Sequence, residues 1–377
     1  MSIAETIKEV RHHLHQHPEL SGKESLTSSY LQNFISKNFN AYHIRKGHAG
    51  HGFIASKRFG EGAHIAFRAE LDALPVEEEN AIDYKSEVPE TSHACGHDGH
   101  MATLIATMFK LEEQNTKSGT ATFLFQPSEE TGEGAASMVE DEAFEEFHPD
   151  ALLALHNIPG KPLGLVLSRE GTFACGSVGV RLKIVGKTAH AAHPEDAVNP
   201  LLLSKNFLDY VISLTEQTEG FALVTPIALR SGQKSFGTSP HKATLLITVR
   251  AAQSEDLDLL MRKVKEKADD LRASHEAKVN LNFEEYFPVT SNDHFYSELR
   301  DVTEKLQRPF EELGVPFRWS EDFSQYAVKH KTHIFGLGAG EDMAPLHAST
   351  YDFPDELLES GAEMFVEFYN RLIKDES

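Results

Sequence analysis

The chain has 377 residues, with 36 Lys and Arg against 58 Asp and Glu, a formal net charge of −22 and two cysteines. That length suits two domains rather than one. So acidic a balance repels phosphates, which argues against nucleic acid and against an anionic membrane surface as partners. Two cysteines exclude a disulfide-dense secreted scaffold.

The first stretch, MSIAETIKEVRHHLHQHPEL, reads as the opening helix of the fold rather than a signal peptide. No apolar run approaches the roughly 18 residues of a membrane span, so the expected location is the cytoplasm. Helical spacing covers 3–17 and 25–38, and short apolar runs follow at 52–56 and 64–68. A helix at 97–113, a strand at 121–126, a helix at 135–144 and a strand at 151–156 come next. This alternation predicts an α/β domain with a mainly parallel sheet. In such sheets ligands collect outside the C-terminal ends of the strands. The polar clusters at 70–75, at 127–130 and at His156-Asn157 each follow a strand-like run, which points to one shared site.

From Gly176 the texture changes, and SVGVRLKIVG is an alternating strand. A helix at 199–214, strands at 222–230 and 243–251, a helix at 254–274 and a strand at 278–284 complete a β-α-β-β-α-β order. That order is the ferredoxin-like split arrangement. The tail returns to helix, strand and helix at 293–313, 332–337 and 355–374. The expected architecture is a catalytic α/β domain, 1–175 and 287–377, interrupted by an inserted α+β domain, 176–286.

The strongest local signal is His93-Ala94-Cys95-Gly96-His97-Asp98-Gly99-His100, leading into a helix. Thiolate and neutral imidazole are favoured ligands of borderline transition metals. One glycine between Cys95 and His97 lets both reach one ion pair. A buried thiol beside helix-capping histidines is the plain alternative, and four potential ligands in eight residues weigh against it. The second signal is Ser128-Glu129-Glu130, where one carboxylate can bind metal and its neighbour act as a general base. Alone, adjacent glutamates read as a solvated acidic turn. His156 at a strand end, His347 in a polar loop and His190 in the inserted domain also each read alone as structural histidines.

Taken together the residues resemble the co-catalytic metallopeptidase family of aminoacylases, hippurate hydrolases, N-acetyldiaminopimelate deacetylases and plant auxin-conjugate hydrolases. The matches are Arg11…Leu14-His15…Pro18-Glu19-Leu20, Arg68-Ala69-Glu70-Leu71-Asp72-Ala73-Leu74-Pro75, the run from His93 to His100, and Gln126-Pro127-Ser128-Glu129-Glu130. They continue through Leu155-His156-Asn157, Gly186…His190-Ala191, Ser320-Glu321-Asp322-Phe323 and Leu346-His347…Tyr351-Asp352-Phe353. The resemblance implies a zinc-peptidase-like catalytic domain with a ferredoxin-like lid and dimerisation domain.

It also implies roles. Cys95, His97, Glu130, His156 and His347 match the ligands of two divalent metal ions per subunit, with Cys95 suited to bridging them. Zinc or manganese is expected, with cobalt and nickel admitted by the same ligands. Glu129 matches the general base and Asp72 the carboxylate that orients a ligand. His190 matches a lid histidine that reaches the partner subunit's site, which implies a homodimer through the lid; Arg250 and Asn157 match substrate-binding positions.

Two departures stand out. Glu70 replaces the family's usual Asp, and Phe236-Gly237-Thr238-Ser239-Pro240 stands where the family often shows Asn-x-Ile-Pro. The implied activity is hydrolysis of the amide bond of small N-acetyl or aromatic N-acyl amino acids, by a hydroxide bridging the metals with Glu129 as base. A dipeptidase or carboxypeptidase on the same scaffold is the alternative. A non-catalytic metal-binding protein would be marked by a missing general base, and Glu129 is present. A lid serving only for association, with His190 in solvent, is the remaining reading.

Overall fold

Apolar runs bounded by polar clusters become the strands of a wide sheet. The computed structural model describes residues 2–141, 144 and 147–373. The chain divides into two units, Met1–Phe173 with Ser291–Val315 and Asp322–Ser377, and Ala174–Thr290 with Pro316–Glu321.

The first unit opens with α1 (Ile3–Gln16) and α2 (Ser25–Asn38), then β1 (His43–His48), β2 (Gly52–Arg58) and β3 (His64–Glu70). There follow α3 (His97–Glu113), β4 (Thr120–Gln126), α4 (Gly134–Glu140), β5 (Ala151–Ile158), β6 (Val166–Ser168) and β7 (Gly171–Ala174). The second unit holds β8 (Gly176–Val185), α5 (Pro200–Ser213), β9 (Ala222–Ser231), β10 (Lys242–Ala251), α6 (Ser254–Ser274) and β11 (Lys278–Phe287). The chain continues through β12 (Thr290–Asn292), α7 (Tyr296–Lys305), β13 (Phe310–Glu312), β14 (Thr332–Gly338) and α8 (Glu356–Leu372).

The large sheet runs β1-β2-β4-β3-β5-β14-β6-β13. Its centre is parallel: β4 with β3, β3 with β5, and β5 with β14. Every residue of β5 and β14 is buried, as a parallel strand covered on both faces requires. On one face α8 lays Leu357, Ala362, Phe365 and Phe368 into the core, with the Phe365 ring 4.9 Å from that of Phe67 on β3. Helix α3 is buried continuously from His97 to Met108, so its N-terminus is held rigidly where β3, β4 and β5 end. The mainly parallel α/β architecture expected from the alternation is therefore the one present.

The second unit is an antiparallel sheet in the order β11-β8-β10-β9, crossed by α5 and α6. Inward residues alternate along β10, and Leu245 and Ile247 face Leu182 and Val180 of β8. Leu203, Phe207 and Val211 of α5 and Leu257, Leu260 and Val264 of α6 close that core. This is the βαββαβ ferredoxin-like order.

Several elements differ from expectation, the short unexpected strands β6, β7 and β12 among them. The helix expected over 293–313 stops at Lys305, Gln307 takes a left-handed φ of 53°, and a short strand follows. Pro309 explains the break, since it lacks an N–H and disfavours helix in the residue before it. Strand β1, at the sheet edge, was not expected, because its residues are mostly polar and give no apolar alternation. The helix expected over 135–144 ends at Glu140; residues 142 and 143 lie outside the described residues, as does Lys374 of the last helix. Among the described residues no helix is long and apolar enough to cross a membrane.

Candidate metal centre

Because β3, β4 and β5 are parallel neighbours, their C-terminal ends share one edge of the sheet, and the chemistry-bearing side chains gather there. Asp72 follows β3, Glu129 and Glu130 follow β4, and His156 and Asn157 lie near the C-terminal end of β5. Cys95 and His97 arrive on the turn that opens α3, and His347 comes from the loop after β14.

Two local conformations aim these groups. Ser128 is a non-glycine residue in the left-handed region, φ 55°, a conformation costing on the order of 1–3 kcal/mol that persists only when its surroundings enforce it. The enforcement here is the buried carboxylate of Glu24, which accepts from the Ser128 N–H at 2.9 Å. His347 is left-handed as well, φ 66°, and its N–H donates to the carbonyl of Ala94 at 2.8 Å.

Hydrogen bonds leave the imidazoles facing inward. His97 donates from Nδ1 to the carbonyl of Asp72 at 2.8 Å, so its Nε2 faces the carboxylates of Glu129 and Glu130, each 3.9 Å away. That Nε2 is buried and has no hydrogen-bond partner among the described residues. His156 donates from Nδ1 to the carbonyl of Asn157 at 2.9 Å, which leaves Nε2 for Cys95 Sγ at 3.7 Å. His347 Nε2 lies 3.8 Å from Glu130 Oε2. Asp72 is itself pinned, its Oδ2 accepting from Ser21 Oγ at 2.7 Å and from the Glu130 N–H at 2.9 Å.

The ligand atoms of Cys95, His97 and His156 lie within 4.8 Å of one another, and so do those of Cys95, Glu130 and His347. Two three-residue sets that share one thiol are the donor arrangement a pair of neighbouring cations needs. A third set, His97, Glu129 and Glu130, overlaps both.

The electrostatics agree with that fit. Burial, followed by the charges of Glu130, Glu129 and Glu70, pushes the Cys95 thiol well above its ordinary range. Burial lowers His97, but Asp72, Glu70 and Glu130 outweigh it and raise the imidazole to about 10. Surplus negative charge thus holds a proton at His97 and keeps Cys95 from ionising. A divalent cation in the same place would displace that proton and stabilise the thiolate. His156, lowered to about 3 by burial and then by His100, is already a neutral donor.

His93, the first histidine of the same run, is buried but joins none of these sets among the described residues; burial lowers it to about 4. Asn157, expected to face substrate, is fully buried and spends its amide on Cys95, His100 and Tyr351. His190 and Arg250 belong to the second unit. His190 is exposed after β8 and pairs by a β-bridge with Thr238; Arg250, on β10, donates to Ser320 Oγ at 2.8 Å and to the Arg318 carbonyl at 3.2 Å.

Sequence reasoning assigned no role to the support behind these residues. Glu70 pairs with Arg68 and accepts from His100 Nδ1 at 2.7 Å. Asp98 accepts from His15 Nδ1 at 2.9 Å and Arg11 Nη1 at 3.1 Å. The signal for His100 was its i, i+3 spacing from His97 on one helix face.

The model of Peptidase family M20/M25/M40 matches residues 66–371. Among curated proteins, the chain is 28% identical to the hippurate hydrolase of Campylobacter jejuni, over 97% of this chain and 96% of that one. It is 27% identical to an uncharacterized hydrolase of Staphylococcus saprophyticus, over 100% and 99%. Among solved structures, the YXEP protein of Bacillus subtilis, described as a dinuclear metal binding peptidase from the M20 family, superposes with a TM-score of 0.81 at 25% identity, covering 98% of each chain.

Proposed function

The chain belongs to Peptidase family M20/M25/M40, a family of hydrolases, and from that premise we propose that it cleaves the amide bond of small N-acyl amino acids with the help of two divalent cations. The observation that carries this reading is the sharing of Cys95 between two ligand sets, with Glu129 beside both. In it, Cys95, His97, Glu130, His156 and His347 hold the cations, zinc or manganese by the softness and charge of those donors, with cobalt and nickel compatible. When bound, such a pair supplies Lewis-acid polarisation of a carbonyl and acidification of water.

The chain's own groups do the rest. Glu129, nearly buried at 6% exposure, takes a proton from the attacking water and delivers it to the leaving amine. Asp72 orients His97 through its carbonyl and the segment carrying Glu130 through its carboxylate. His190 serves the oxyanion and Arg250 the substrate carboxylate, in a homodimer associated through the second unit. The hippurate hydrolase of C. jejuni supports the N-acyl amino acid class. A dipeptidase acting through the same groups is the second reading, favoured by the peptidase description of the family and of the YXEP protein.

The test is a hydrolysis screen of metal-reconstituted protein with N-acetyl and N-benzoyl amino acids, indole-acetyl conjugates and dipeptides, with and without chelator. Chelator-sensitive release of amino acid from the N-acyl compounds is expected. Preference for dipeptides would select the second reading, and no turnover on any of them would overturn both.

A further inference from the structure

Asn157 is polar, fully buried and one residue beyond His156, and every polar atom of its amide is engaged inside the protein. Nδ2 donates to the Cys95 carbonyl at 3.1 Å and to Tyr351 Oη at 2.5 Å; Oδ1 lies 2.5 Å from His100 Nε2. The orientation of the amide is dictated by its neighbours, since the Cys95 carbonyl can only accept and the reversed amide would set two oxygens together. Behind His100, Glu70 accepts from Nδ1 at 2.7 Å and pairs with the buried Arg68. The chain of contacts therefore runs from Arg68 on β3 through α3 to the backbone of Cys95.

Gly96 makes the clamp tight. It adopts φ 92°, and a Cβ there would lie 2.8 Å from Asn157 Nδ2 and 2.9 Å from Oδ1. The amide thus lies flush against the one residue that separates Cys95 from His97. Tyr351, 194 residues further along, ties the same amide to the loop that carries His347.

We infer that Asn157 is a positioning residue, which fixes the 95–97 turn and couples it, through Tyr351, to the His347 loop. This rests on the two-cation reading above. Buried groups that orient ligands typically control metal affinity by 10–100-fold. Asn157 does so through the peptide carbonyl of Cys95 and the path of the backbone, not through an imidazole.

The experiment measures cobalt(II) stoichiometry and affinity by competition with a chromophoric chelator. It also records the thiolate-to-cobalt charge-transfer band and the melting temperature of the metal-free protein. Asn157→Asp keeps the oxygen beside His100 but cannot donate to Cys95. It is expected to weaken cobalt binding by about 10–100-fold and to shift or reduce the band. Tyr351→Phe, a milder change that keeps the ring packed, is expected to move both in the same direction by less, and serves if Asn157→Asp does not fold. Variants that melt lower but bind cobalt as tightly, with an unchanged band, would show a packing role and overturn the inference alone. Failure of the wild-type chain to take up two cobalt ions would overturn the two-cation reading and this inference with it.

Discussion

The N–H of Glu130 donates to Oδ2 of Asp72 at 2.9 Å, while the carbonyl of the same Asp72 accepts from Nδ1 of His97 at 2.8 Å. One residue after β3 thus aims a carboxylate that follows β4 and an imidazole that opens α3. Replacing Asp72 by Ala removes the carboxylate and leaves the carbonyl. Metal affinity is expected to fall by about 10–100-fold with the fold retained. Chelator competition checks it, and an unchanged affinity would remove Asp72 from the site.

Glu129 stands apart from its neighbour because its proposed task is to move a proton. Glu129→Gln is nearly isosteric and is expected to keep the metal content. Turnover should fall by roughly 10²–10⁴-fold, the range a general base contributes. Metal analysis beside kcat separates the outcomes; a kcat near the wild-type value would end the assignment.

Arg11 is fully buried and pairs with Asp98 at 3.1 Å and Asp352 at 2.8 Å. These pairs link α1 to the first turn of α3 and to the loop that carries His347. Arg11→Met would leave Asp98 with His15 as its one cationic partner among the described residues, and would take the guanidinium from Asp352 and from Asp355, 2.6 Å away. Breaking buried pairs in this way costs up to about 3–5 kcal/mol. Denaturant unfolding monitored by circular dichroism is expected to show that loss; a shift under 1 kcal/mol would mean the network relaxes.

His15 lies between Asp98 at 2.9 Å and Glu78 at 3.2 Å. Burial lowers its pKa, but Asp98 and Glu78 prevail and raise it to about 9 from an ordinary 6.5. The folded value is the higher one, so folding takes up a proton between those two pH values. The stabilisation is complete below pH 6.5 and is lost as pH rises through about 9. It amounts to about 3 kcal/mol. Unfolding free energies of the metal-free chain at pH 6 to 10 should decline more steeply for wild type than for His15→Gln. Parallel curves would contradict the reading.

Much of this architecture was legible from the chain alone, for local reasons. Helices 3–16 and 25–38, the buried runs of β4, β5 and β14, and the β-α-β-β-α-β order are written in periodicities of 3.6 and 2. The close spacing of Cys95 and His97, and their place at the start of a helix, are equally local. What failed was equally physical. Pro309 ended a helix that amphipathic spacing would have continued, and the polar β1 reads as a strand only once β2 lies beside it.

The support of the site was not legible, because it consists of single hydrogen bonds between residues far apart in sequence. Nothing near Asn157 signals that its amide will close over Gly96, and nothing near Arg11 signals Asp352, 341 residues away. The sequence by itself determined which side chains can bind a cation or move a proton, and which stretches form strands and helices, because propensity and ligand chemistry belong to the residues. Only the tertiary structure decided that Cys95 lies within 4.8 Å of the donor atoms of two different groups, that His93 joins neither, and that Asn157 faces inward. Those outcomes depend on which strand ends lie side by side, and that is fixed by packing across the whole core.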